Sequence, residues 1–317
     1  MTPQETPQTP PRTPPQPAPH LTPAAAAGTW MLGDLPVRRI GFGAMRLPQT
    51  GGALVPHAVP RDRDQAVAVL RRALELGVNH IDTAAFYFSP LRSANELINR
   101  ALAPYPDDLV ITTKVGPGRD PSGRWQPHAT ARQLRGQVEE NLRQLGRDHL
   151  DVVNLRIVGD DSLAERFGAL AELREAGLVR HLGLSNVTPA HLAEARAIAP
   201  VVCVQNMYGL AVRPDQDAFV DACGRLGIAF VPFYAIAGSG REGGAQGGDD
   251  PRTWAVARAH GVSPAQVRIA WTLHRGPHLL AIPGTGDPAH LADNVAAGAL
   301  RLSDDDLAIL DLVHRAR

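Results

Sequence analysis

Apolar residues in this chain are concentrated in eight short runs, and each run is bounded by polar residues or by a glycine-containing turn. Short apolar runs of this kind are typical of strands that are buried on both faces of a parallel sheet. The runs cover residues 37–43, 78–82, 109–114, 150–156, 179–185, 201–206, 228–233 and 279–284. The pattern therefore predicts eight buried strands.

Helical periodicity follows most of these runs. The clearest amphipathic segments cover residues 63–77, 130–146, 162–177 and 188–199, and several begin with Ser or Thr and end in Gly, as helix caps require. Alternating strands and helices favour parallel pairing, and eight such units close into a (β/α)8 TIM barrel of the α/β class. An open doubly wound sheet is the alternative, but the segment GFGAMR lacks the third glycine of a GxGxxG turn.

The N-terminal segment differs in composition from the rest of the chain. Residues 1–28 are rich in Pro, Thr and Gln and contain too little apolar surface to offset the entropy of ordering them. We predict a disordered Pro-rich tail over residues 1–28, a spacer in preference to a polyproline ligand. The segment TWMLGDLPVRR, which starts at Thr29, predicts a β-hairpin that leads into the barrel domain, residues 29–317.

Charge and cysteine content narrow the classes of partner. Lys plus Arg and Asp plus Glu are equal at 32 each, so nothing indicates nucleic acid or a membrane surface, and a small molecule is expected. Cys203 and Cys223 lie in apolar segments without CxxC spacing, which favours buried thiols. Without a membrane-spanning apolar run or a signal-peptide pattern, the cytoplasm is the expected location. The oligomeric state is left open.

Polar residues end most of the runs, and the active site of a (β/α)8 barrel collects side chains from the C-terminal ends of its strands. Each of these residues alone is also explained as a turn former or a helix cap. They are Asp82 and Tyr87 at the second run, Lys114 at the third, Asn154 and Arg156 at the fourth, Ser185 and Asn186 at the fifth, and Gln205, Asn206 and Tyr208 at the sixth. Together they predict one polar site on a shared rim.

Three of these residues, Asp82, Tyr87 and Lys114, form a combination suited to proton transfer. A neighbouring ammonium group lowers the pKa of Tyr87 by favouring the phenolate, and Asp82 keeps Lys114 charged. Tyr87 is then a general acid that protonates an alkoxide as hydride reaches a carbonyl carbon. Because no side chain supplies hydride, a redox cofactor is required, and carbonyl reduction is the predicted chemistry. The twelve His residues show neither HxH nor HExxH spacing, so no metal is expected.

Several segments resemble the aldo-keto reductases, from about residue 30 to the C-terminus. They are GVNHIDTAAFY, ITTKVG, GLSN, VQNMY and AIPGTGDPAHLADN. The resemblance implies an enzyme that uses a nicotinamide cofactor to reduce an aldehyde or ketone to an alcohol. It places Asp82, Tyr87 and Lys114 in the catalytic tetrad, with Arg156 at the fourth position, where the family usually has His.

The same resemblance implies a set of cofactor-binding residues. Ser185, Asn186 and Gln205 are expected to bind the nicotinamide carboxamide, and Phe233 is expected to stack on the nicotinamide ring. Around the adenosine-side phosphate, at the start of a helix, the resemblance places Gly284, Thr285, Gly286, His290 and Asn294. The Lys and Arg with which the family grips the 2′-phosphate align with Gly284 and His290. NADPH is therefore expected from the family alone, and NADH is left open.

Arg156 points to one branch of the aldo-keto reductase family. The segments DVVNLRI, SNVTPAHLAEARAIA, VCVQN and APYPDDLVITTKVG are similar to the bacterial pyridoxal reductase branch of the family. That branch implies reduction of pyridoxal to pyridoxine, and a guanidinium suits the ring oxygen beside the aldehyde. Two alternatives stay open. In the first, Arg156 forms an ion pair with Asp160 or Asp161 and only shapes the pocket. In the second, the chain is a cofactor-binding sensor or regulatory subunit of the same fold with little turnover.

Three smaller features add candidates to the site. The loop at residues 235–250 is rich in glycine and is either a mobile flap or a surface connection without contact to the cofactor. His80, within the second run, is predicted to be a core or rim histidine in preference to a ligand. Met45 and Arg46, which follow the first run, are candidates for the substrate pocket.

Overall fold

Seven parallel strands form a curled sheet at the centre of the protein, in a computed structural model that describes residues 22–52, 54–55, 58–120, 122–212, 214–236 and 250–316. The strands are neighbours in the order in which they occur along the chain. They are β1 (Phe42–Gly43), β2 (His80–Asp82), β3 (Val110–Val115), β4 (Leu150–Arg156), β5 (Val179–Ser185), β6 (Val201–Gln205) and β7 (Ala229–Phe230). All neighbouring pairs are parallel, as the alternation of strands and helices predicts.

The eighth apolar run closes the sheet into a barrel. It lies between β7 and β1 and forms parallel bridges, Leu279 with Phe230 on one side and Ala281 with Ile40 on the other. The backbone N–H of Leu280 donates to Phe230 at 3.0 Å, and that of Gly41 donates to Ala281 at 2.8 Å. The predicted (β/α)8 barrel is therefore confirmed, with an eighth strand that is reduced to these bridges.

Helices cover the outside of the barrel. They are α1 (Arg63–Glu75), α2 (Ala94–Leu102), α3 (Ala131–Leu145), α4 (Ala164–Glu175), α5 (Pro189–Arg196), α6 (Asp217–Arg225), α7 (Pro251–His260), α8 (Pro264–His274), α9 (Pro288–Ala296) and α10 (Asp304–Arg315). Short 3-10 helices cover Pro23–Ala27, Pro214–Gln216 and Ala297–Ala299. Two-residue strands pair as Gln49–Thr50 with Val59–Pro60, Phe88–Ser89 with Arg92–Ser93, and Gly118–Arg119 with Trp125–Gln126. Within the described ranges, every helix is too short or too polar to span a bilayer.

Side-chain caps explain where several helices begin. Thr130 and Thr188 each form a capping box at the start of α3 and α5, where the sequence predicts them. Helix α4 begins at Ala164, later than the predicted start at Ser162. The reason is that the Ser162 hydroxyl is held by Glu194 of α5 and accepts a bond from the Ala164 N–H, so Ser162 stays outside the helix.

The predicted hairpin closes the N-terminal end of the barrel. Its strands, Thr29–Leu32 and Leu35–Arg38, pair in antiparallel register. The hairpin contributes to a cluster of buried side chains that includes Leu32, Leu35, Val37, Val110, Val152, Cys203, Ala229, Val231 and Leu280. This end of the barrel is therefore sealed with apolar side chains, which leaves the opposite end for polar chemistry.

Residues 22–28 correct the predicted extent of the disordered tail. Ala24 is fully buried, and its backbone N–H donates to Leu76 at 3.0 Å. The carbonyls of Ala26 and Ala27 accept bonds from Arg301 at 2.9 Å and from Arg39 at 3.3 Å. The prediction of disorder is wrong for this segment, because small alanine side chains and bonded carbonyls hold it against the barrel without a large apolar surface. Residues 1–21 lie outside the described residues, so the predicted tail stays a prediction there.

Removing residues 22–28 is expected to destabilise the barrel, because buried alanines and the partners of two arginines are lost. We expect the free energy of unfolding to fall by about 1–3 kcal/mol. Urea denaturation should compare a chain that starts at Thr29 with one that starts at Thr22. Because both chains lack residues 1–21, the comparison isolates the segment. Equal midpoints and slopes would show that its contacts add nothing to stability.

Candidate active site

A cavity of about 1000 Å³ opens at the C-terminal ends of the barrel strands. Its wall includes most of the predicted site residues, which are Asp82, Tyr87, Lys114, Arg156, Gln205, Phe233, Gly284, Thr285, Gly286, His290 and Asn294. Ser185 and Asn186 do not line it. The structure therefore brings the predicted catalytic and cofactor-binding sets to one cavity, with two exceptions.

A buried ion pair lies at the base of the cavity. Lys114 Nζ donates to Asp82 Oδ1 at 2.6 Å and to the Thr83 carbonyl at 3.1 Å, and both charged residues are 3% exposed. The second carboxylate oxygen of Asp82 accepts a bond from Gln205 Nε2 at 2.8 Å. Parallel pairing sets this contact, since Asp82 lies opposite Thr112 and Lys114 is two residues further along the same face. Both charges are thus compensated and hydrogen-bonded.

Tyr87 places its ring beside the ammonium group of this pair. Lys114 Nζ lies 5.0 Å from the ring centroid, and the Tyr87 backbone N–H donates to Ala84 at 3.0 Å in the turn after β2. Burial raises the pKa of Tyr87, against the opposite effect of Lys114. The effect of the ammonium has the predicted sign, but desolvation outweighs it, so the net shift of this pKa is upward and not downward. At neutral pH the phenol keeps its proton and can donate it.

The charge of Lys114 survives its burial. Desolvation alone would lower the pKa of Lys114, but the Asp82 carboxylate and, after it, Tyr87 reverse the direction, and the pKa is raised. This agrees with the predicted role of Asp82 in keeping Lys114 charged. The base of the cavity therefore holds a permanent ammonium group next to a neutral phenol.

Arg156 extends from the end of β4 into the cavity wall. Its Nη1 donates to Ser185 Oγ at 3.1 Å, and its guanidinium carbon lies 5.2 Å from the centroid of the Phe233 ring. No carboxylate of the described residues forms an ion pair with it. The alternative in which Arg156 pairs with Asp160 or Asp161 is therefore wrong in this structure, and the charge faces the cavity.

Of the three residues predicted to bind the carboxamide, only Gln205 lines the cavity. It is 1% exposed, and its Oε1 has no hydrogen-bond partner among the described residues. Ser185 is fully buried and accepts the bond from Arg156, while Asn186 donates its Nδ2 to a backbone carbonyl at 2.9 Å. The structure thus presents one unsatisfied buried acceptor at this part of the wall, and a buried acceptor without a donor is costly.

Two glycines allow the first strand and the loop after the eighth run to approach each other closely. A Cβ atom at Gly43 would lie 2.6 Å from the carbonyl oxygen of Ile282, and a Cβ atom at Gly284 would collide with the Gly43 carbonyl. Only glycine fits at such a contact. The close approach puts backbone, without side chains, on this side of the cavity.

Helix α9 begins at the predicted phosphate site, and a carboxylate of the chain itself caps it. Asp287 Oδ1 accepts from the backbone N–H of Ala289 at 2.7 Å and of His290 at 3.3 Å. These two bonds hold the pKa of Asp287 below its usual range, so the carboxylate is charged. Thr285 Oγ1 accepts from the Asp287 N–H at 3.1 Å, and Asn294 lies in the wall, 7% exposed. The helix N-terminus expected to bind phosphate is therefore already capped.

Sequence reasoning missed an aromatic series at the mouth of the cavity. Trp125, 36% exposed, lines the cavity and contacts Phe86 edge to face, with ring centroids 5.4 Å apart. Phe86 in turn contacts Tyr87 at 5.1 Å. Arg119 of the same hairpin donates to two backbone carbonyls of neighbouring loops at 2.8 and 2.9 Å. A rule based on strand ends cannot find Trp125, because it lies in a loop well after β3.

The loops around the mouth include the other predicted candidates. Met45 and Arg46 line the cavity, as expected for pocket residues. Of the loop predicted over residues 235–250, Ala235 and Ile236 also line it. Residues 237–249 lie outside the described residues, so the choice between a flap and a surface connection stays a prediction.

His80 lies inside the barrel and does not line the cavity. It is 1% exposed, and its Nε2 is 3.2 Å from Thr112 Oγ1. Burial lowers the pKa of His80 to about 4, with a smaller opposite effect of Asp82. This placement fits the predicted core histidine, and its ring is neutral at physiological pH.

A barrel with a buried carboxylate, lysine and tyrosine at the C-terminal ends of its strands, beside a large cavity, is the architecture of a carbonyl-reducing oxidoreductase. The comparisons with known proteins agree with it. The model of the aldo/keto reductase family matches residues 39–315, and the chain belongs to this family. The interpretation as a regulatory subunit with little turnover is not favoured.

Two curated relatives share most of their length with the chain. Pyridoxine 4-dehydrogenase of Escherichia coli (strain K12) is 45% identical over 297 residues, which is 92% of this chain and 99% of that protein. An uncharacterized oxidoreductase of Schizosaccharomyces pombe is 38% identical over 289 residues, 91% of this chain and 90% of that protein. The resemblance predicted from the sequence is therefore confirmed.

Solved structures show the same fold. A thermostable aldo-keto reductase in complex with the inhibitor epalrestat superposes with a TM-score of 0.74 at 27% identity, covering 89% of this chain and 97% of that one. An aldo-keto reductase of Klebsiella pneumoniae in complex with NADPH gives a TM-score of 0.72 at 27% identity, covering 88% and 92%.

The buried His80 is expected to make stability depend on pH. Its pKa is about 4 in the folded protein and ordinarily 6.5, so below pH 6.5 the unfolded chain binds a proton that the folded chain does not. Stability is therefore lost as the pH falls from about 6.5 to about 4, and the loss reaches about 2 kcal/mol at pH 5. In His80→Gln this part of the loss should vanish.

Urea denaturation at pH 7 and pH 5 measures the effect, with the same substitution at the exposed His128 as the control. The wild-type protein and the His128→Gln variant should lose stability in parallel, and His80→Gln should lose less. If all three lost the same amount, a neutral buried imidazole would be ruled out.

Proposed function

We propose that the protein is an NADPH-dependent reductase that converts an aldehyde to an alcohol, with pyridoxal as the substrate. The observation that carries this proposal is the phenol of Tyr87, buried beside the Lys114 ammonium group and in the wall of the large cavity. The name of the relative from E. coli, pyridoxine 4-dehydrogenase, supports the substrate, and the NADPH-bound relative from K. pneumoniae supports the cofactor. The predicted cytoplasmic location is part of the same proposal.

The cavity wall suits a nicotinamide cofactor. Gln205 Oε1 is a buried acceptor to which no described residue donates, and the amide group of a nicotinamide supplies a donor. Phe233 offers an aromatic ring in the same wall, with the Arg156 guanidinium 5.2 Å from its centroid. The close approach of Gly43 and Gly284 presents backbone without side chains to the cavity. Ser185 and Asn186 remain proposed carboxamide contacts, although both bond elsewhere in this structure.

The proton needed for reduction comes from Tyr87. NADPH, when bound, supplies hydride to the carbonyl carbon. Tyr87 donates its hydroxyl proton to the carbonyl oxygen, which yields the alcohol and leaves a phenolate. Lys114 stabilises that phenolate by its charge, and Asp82 holds Lys114 charged and in place. The raised pKa of Tyr87 suits this direction, because the donor is protonated at neutral pH.

Arg156 is proposed to recognise the substrate. In pyridoxal the aldehyde lies beside a ring hydroxyl that ionises readily, and a planar guanidinium can bond both oxygens at once. Two observations support the role. The side chain is held by Ser185 and by the Phe233 ring, and no carboxylate of the described residues competes for its charge. An imidazole at this position could not form the same fork of hydrogen bonds.

Initial rates of NADPH oxidation with pyridoxal test the proposed activity, and Tyr87→Phe is expected to abolish it. The substitution removes the proton donor and little volume, so the rate should fall about 10²- to 10⁴-fold while NADPH affinity stays nearly unchanged. Tyr105→Phe is the matched control, since among the described residues the Tyr105 hydroxyl bonds only the Leu145 carbonyl, at 2.6 Å, and Tyr105 does not line the cavity.

Two results would contradict this assignment. A Tyr87→Phe variant with near-native turnover would mean that another group is the acid. Binding of NADPH without turnover of pyridoxal, aromatic aldehydes or small ketones would instead favour the regulatory subunit.

The role of Arg156 is tested by comparing two aldehydes in Arg156→His. Pyridoxal should lose about 1.5–3 kcal/mol of transition-state binding, the scale of a hydrogen bond to a charged group, which is roughly a 10- to 150-fold fall in kcat/KM. Benzaldehyde, which lacks the neighbouring oxygen, should lose much less. Arg156→Lys keeps the charge without the fork and should lie between. An equal loss of kcat/KM for both aldehydes would show that Arg156 does not recognise the ring oxygen.

A further inference from the structure

The phosphate end of the cavity lacks cations at the positions where the family resemblance expects them. Those positions hold Gly284, which has no side chain, and His290, which is exposed. The nearby helix N-terminus is capped by the charged carboxylate of Asp287. A phosphate at this end would therefore meet a negative charge, so its binding requires positive charge from another element.

Arg61 brings positive charge to this end from a different part of the chain. It lies in the loop before α1 and lines the cavity together with Gly286. Its backbone is fixed on both sides: its N–H donates to Pro48 at 3.1 Å, and its carbonyl accepts from Arg92 at 3.0 Å. The start of the side chain is thus positioned before any ligand binds, which lowers the entropic cost of binding.

The guanidinium of Arg61 lies directly against the loop predicted to bind phosphate. A Cβ atom at Gly286 would collide with the Arg61 guanidinium, so the glycine makes room for it. The guanidinium donates to the carbonyls of Arg46 and Gly286 at 3.4 Å and of Gln49 at 3.2 Å. These bonds are long and all go to neutral acceptors, so they are weak and leave two of the five N–H donors unused.

Within the part of the chain that the structure describes, no carboxylate forms an ion pair with Arg61 and neutralises its charge. Burial and, after it, the charge of Arg46 lower the pKa of Arg61, while Asp287 has a smaller effect in the opposite direction. A guanidinium that is half-buried beside another cation is stabilised by a bound anion.

We propose that Arg61 binds a phosphate group of the nicotinamide cofactor, in place of the cations that the family carries after the eighth strand. This inference rests on the proposed function, because it takes the cofactor as given and names a residue that holds it. The phosphate is either the 2′-phosphate, which only NADPH carries, or the pyrophosphate, which NADPH and NADH share. Both sources present the oxygen acceptors that a planar guanidinium binds in pairs.

A purely structural role for Arg61 is the competing explanation, since its three carbonyl bonds also connect the loop to Gly286. The two roles predict different effects of Arg61 on the salt dependence of cofactor affinity. An Arg–phosphate contact is screened by added ions, whereas a loop held together by neutral acceptors affects binding without changing that dependence.

Fluorescence titration of the full chain with NADPH and with NADH, at several salt concentrations, tests the inference. Arg61→Gln should raise the Kd for NADPH about 10- to 100-fold. The same variant should also flatten the plot of log Kd against log salt. Arg61→Lys should restore part of the affinity. Arg63→Gln is the matched control. It removes the same charge only two residues further along the chain, from an exposed side chain that pairs with Asp64.

The NADH titration identifies which phosphate is bound. A loss confined to NADPH assigns Arg61 to the 2′-phosphate, and an equal loss for both cofactors assigns it to the pyrophosphate. Gly286→Ala, which displaces the guanidinium, should reproduce the loss if Arg61→Gln folds poorly. An Arg61→Gln variant with native Kd values, or with a weaker Kd but a native salt dependence, would overturn the inference. Failure of the wild-type protein to bind either cofactor would instead refute the proposed function.

Discussion

The ion pair between Lys114 and Asp82 is the interaction on which the rest of the site depends. Burying two charges is costly, and the cost is offset here because the pair is short and every oxygen of the carboxylate has a donor. The second donor is Gln205, whose amide orientation is thereby fixed with its oxygen left unsatisfied. The ammonium group also lies under Tyr87, which stays protonated because burial outweighs the cationic neighbour. One ion pair thus places an ammonium group under the proton donor and sets the orientation of an amide, while burial keeps the donor protonated.

The barrel makes this arrangement available by separating the two ends of its strands. At the N-terminal end, side chains of the hairpin pack with apolar side chains of the barrel strands and close the barrel. At the C-terminal end, neighbouring strands in parallel register bring Asp82 and Lys114, distant in sequence, onto one face. Closure by the eighth run adds the close contact of Gly43 with Gly284, which puts backbone in the cavity wall. Stability and chemistry therefore draw on different residues of the same strands.

The sequence predicts the barrel and the base of the site because both follow from periodicity. Eight apolar runs, each ending in polar residues, define the strands, and parallel closure makes their ends converge. The remaining features depend on contacts between loops or on burial, which periodicity does not encode. The pKa of Tyr87 has the opposite direction from the prediction because of desolvation, and Ser185 is engaged by Arg156. Trp125 and Arg61 reach the cavity from loops with no strand-end signal.

The distribution of charge explains how a protein with a formal net charge of zero can favour anionic ligands. A balanced total gives no long-range attraction, so any preference must arise from local fields within the cavity. At the base, Lys114 is neutralised by Asp82, which leaves no net charge where hydride and proton transfer are proposed. Arg156 and Arg61 line the same cavity, and neither has an ion pair within the described part of the chain. The attraction between two charges falls with distance, so each guanidinium acts mainly on a ligand group in direct contact with it. With the roles proposed for Arg156 and Arg61, we expect the site to select by where negative charge lies on the ligand, so that a ligand of the same total charge with its anionic oxygens elsewhere gains little.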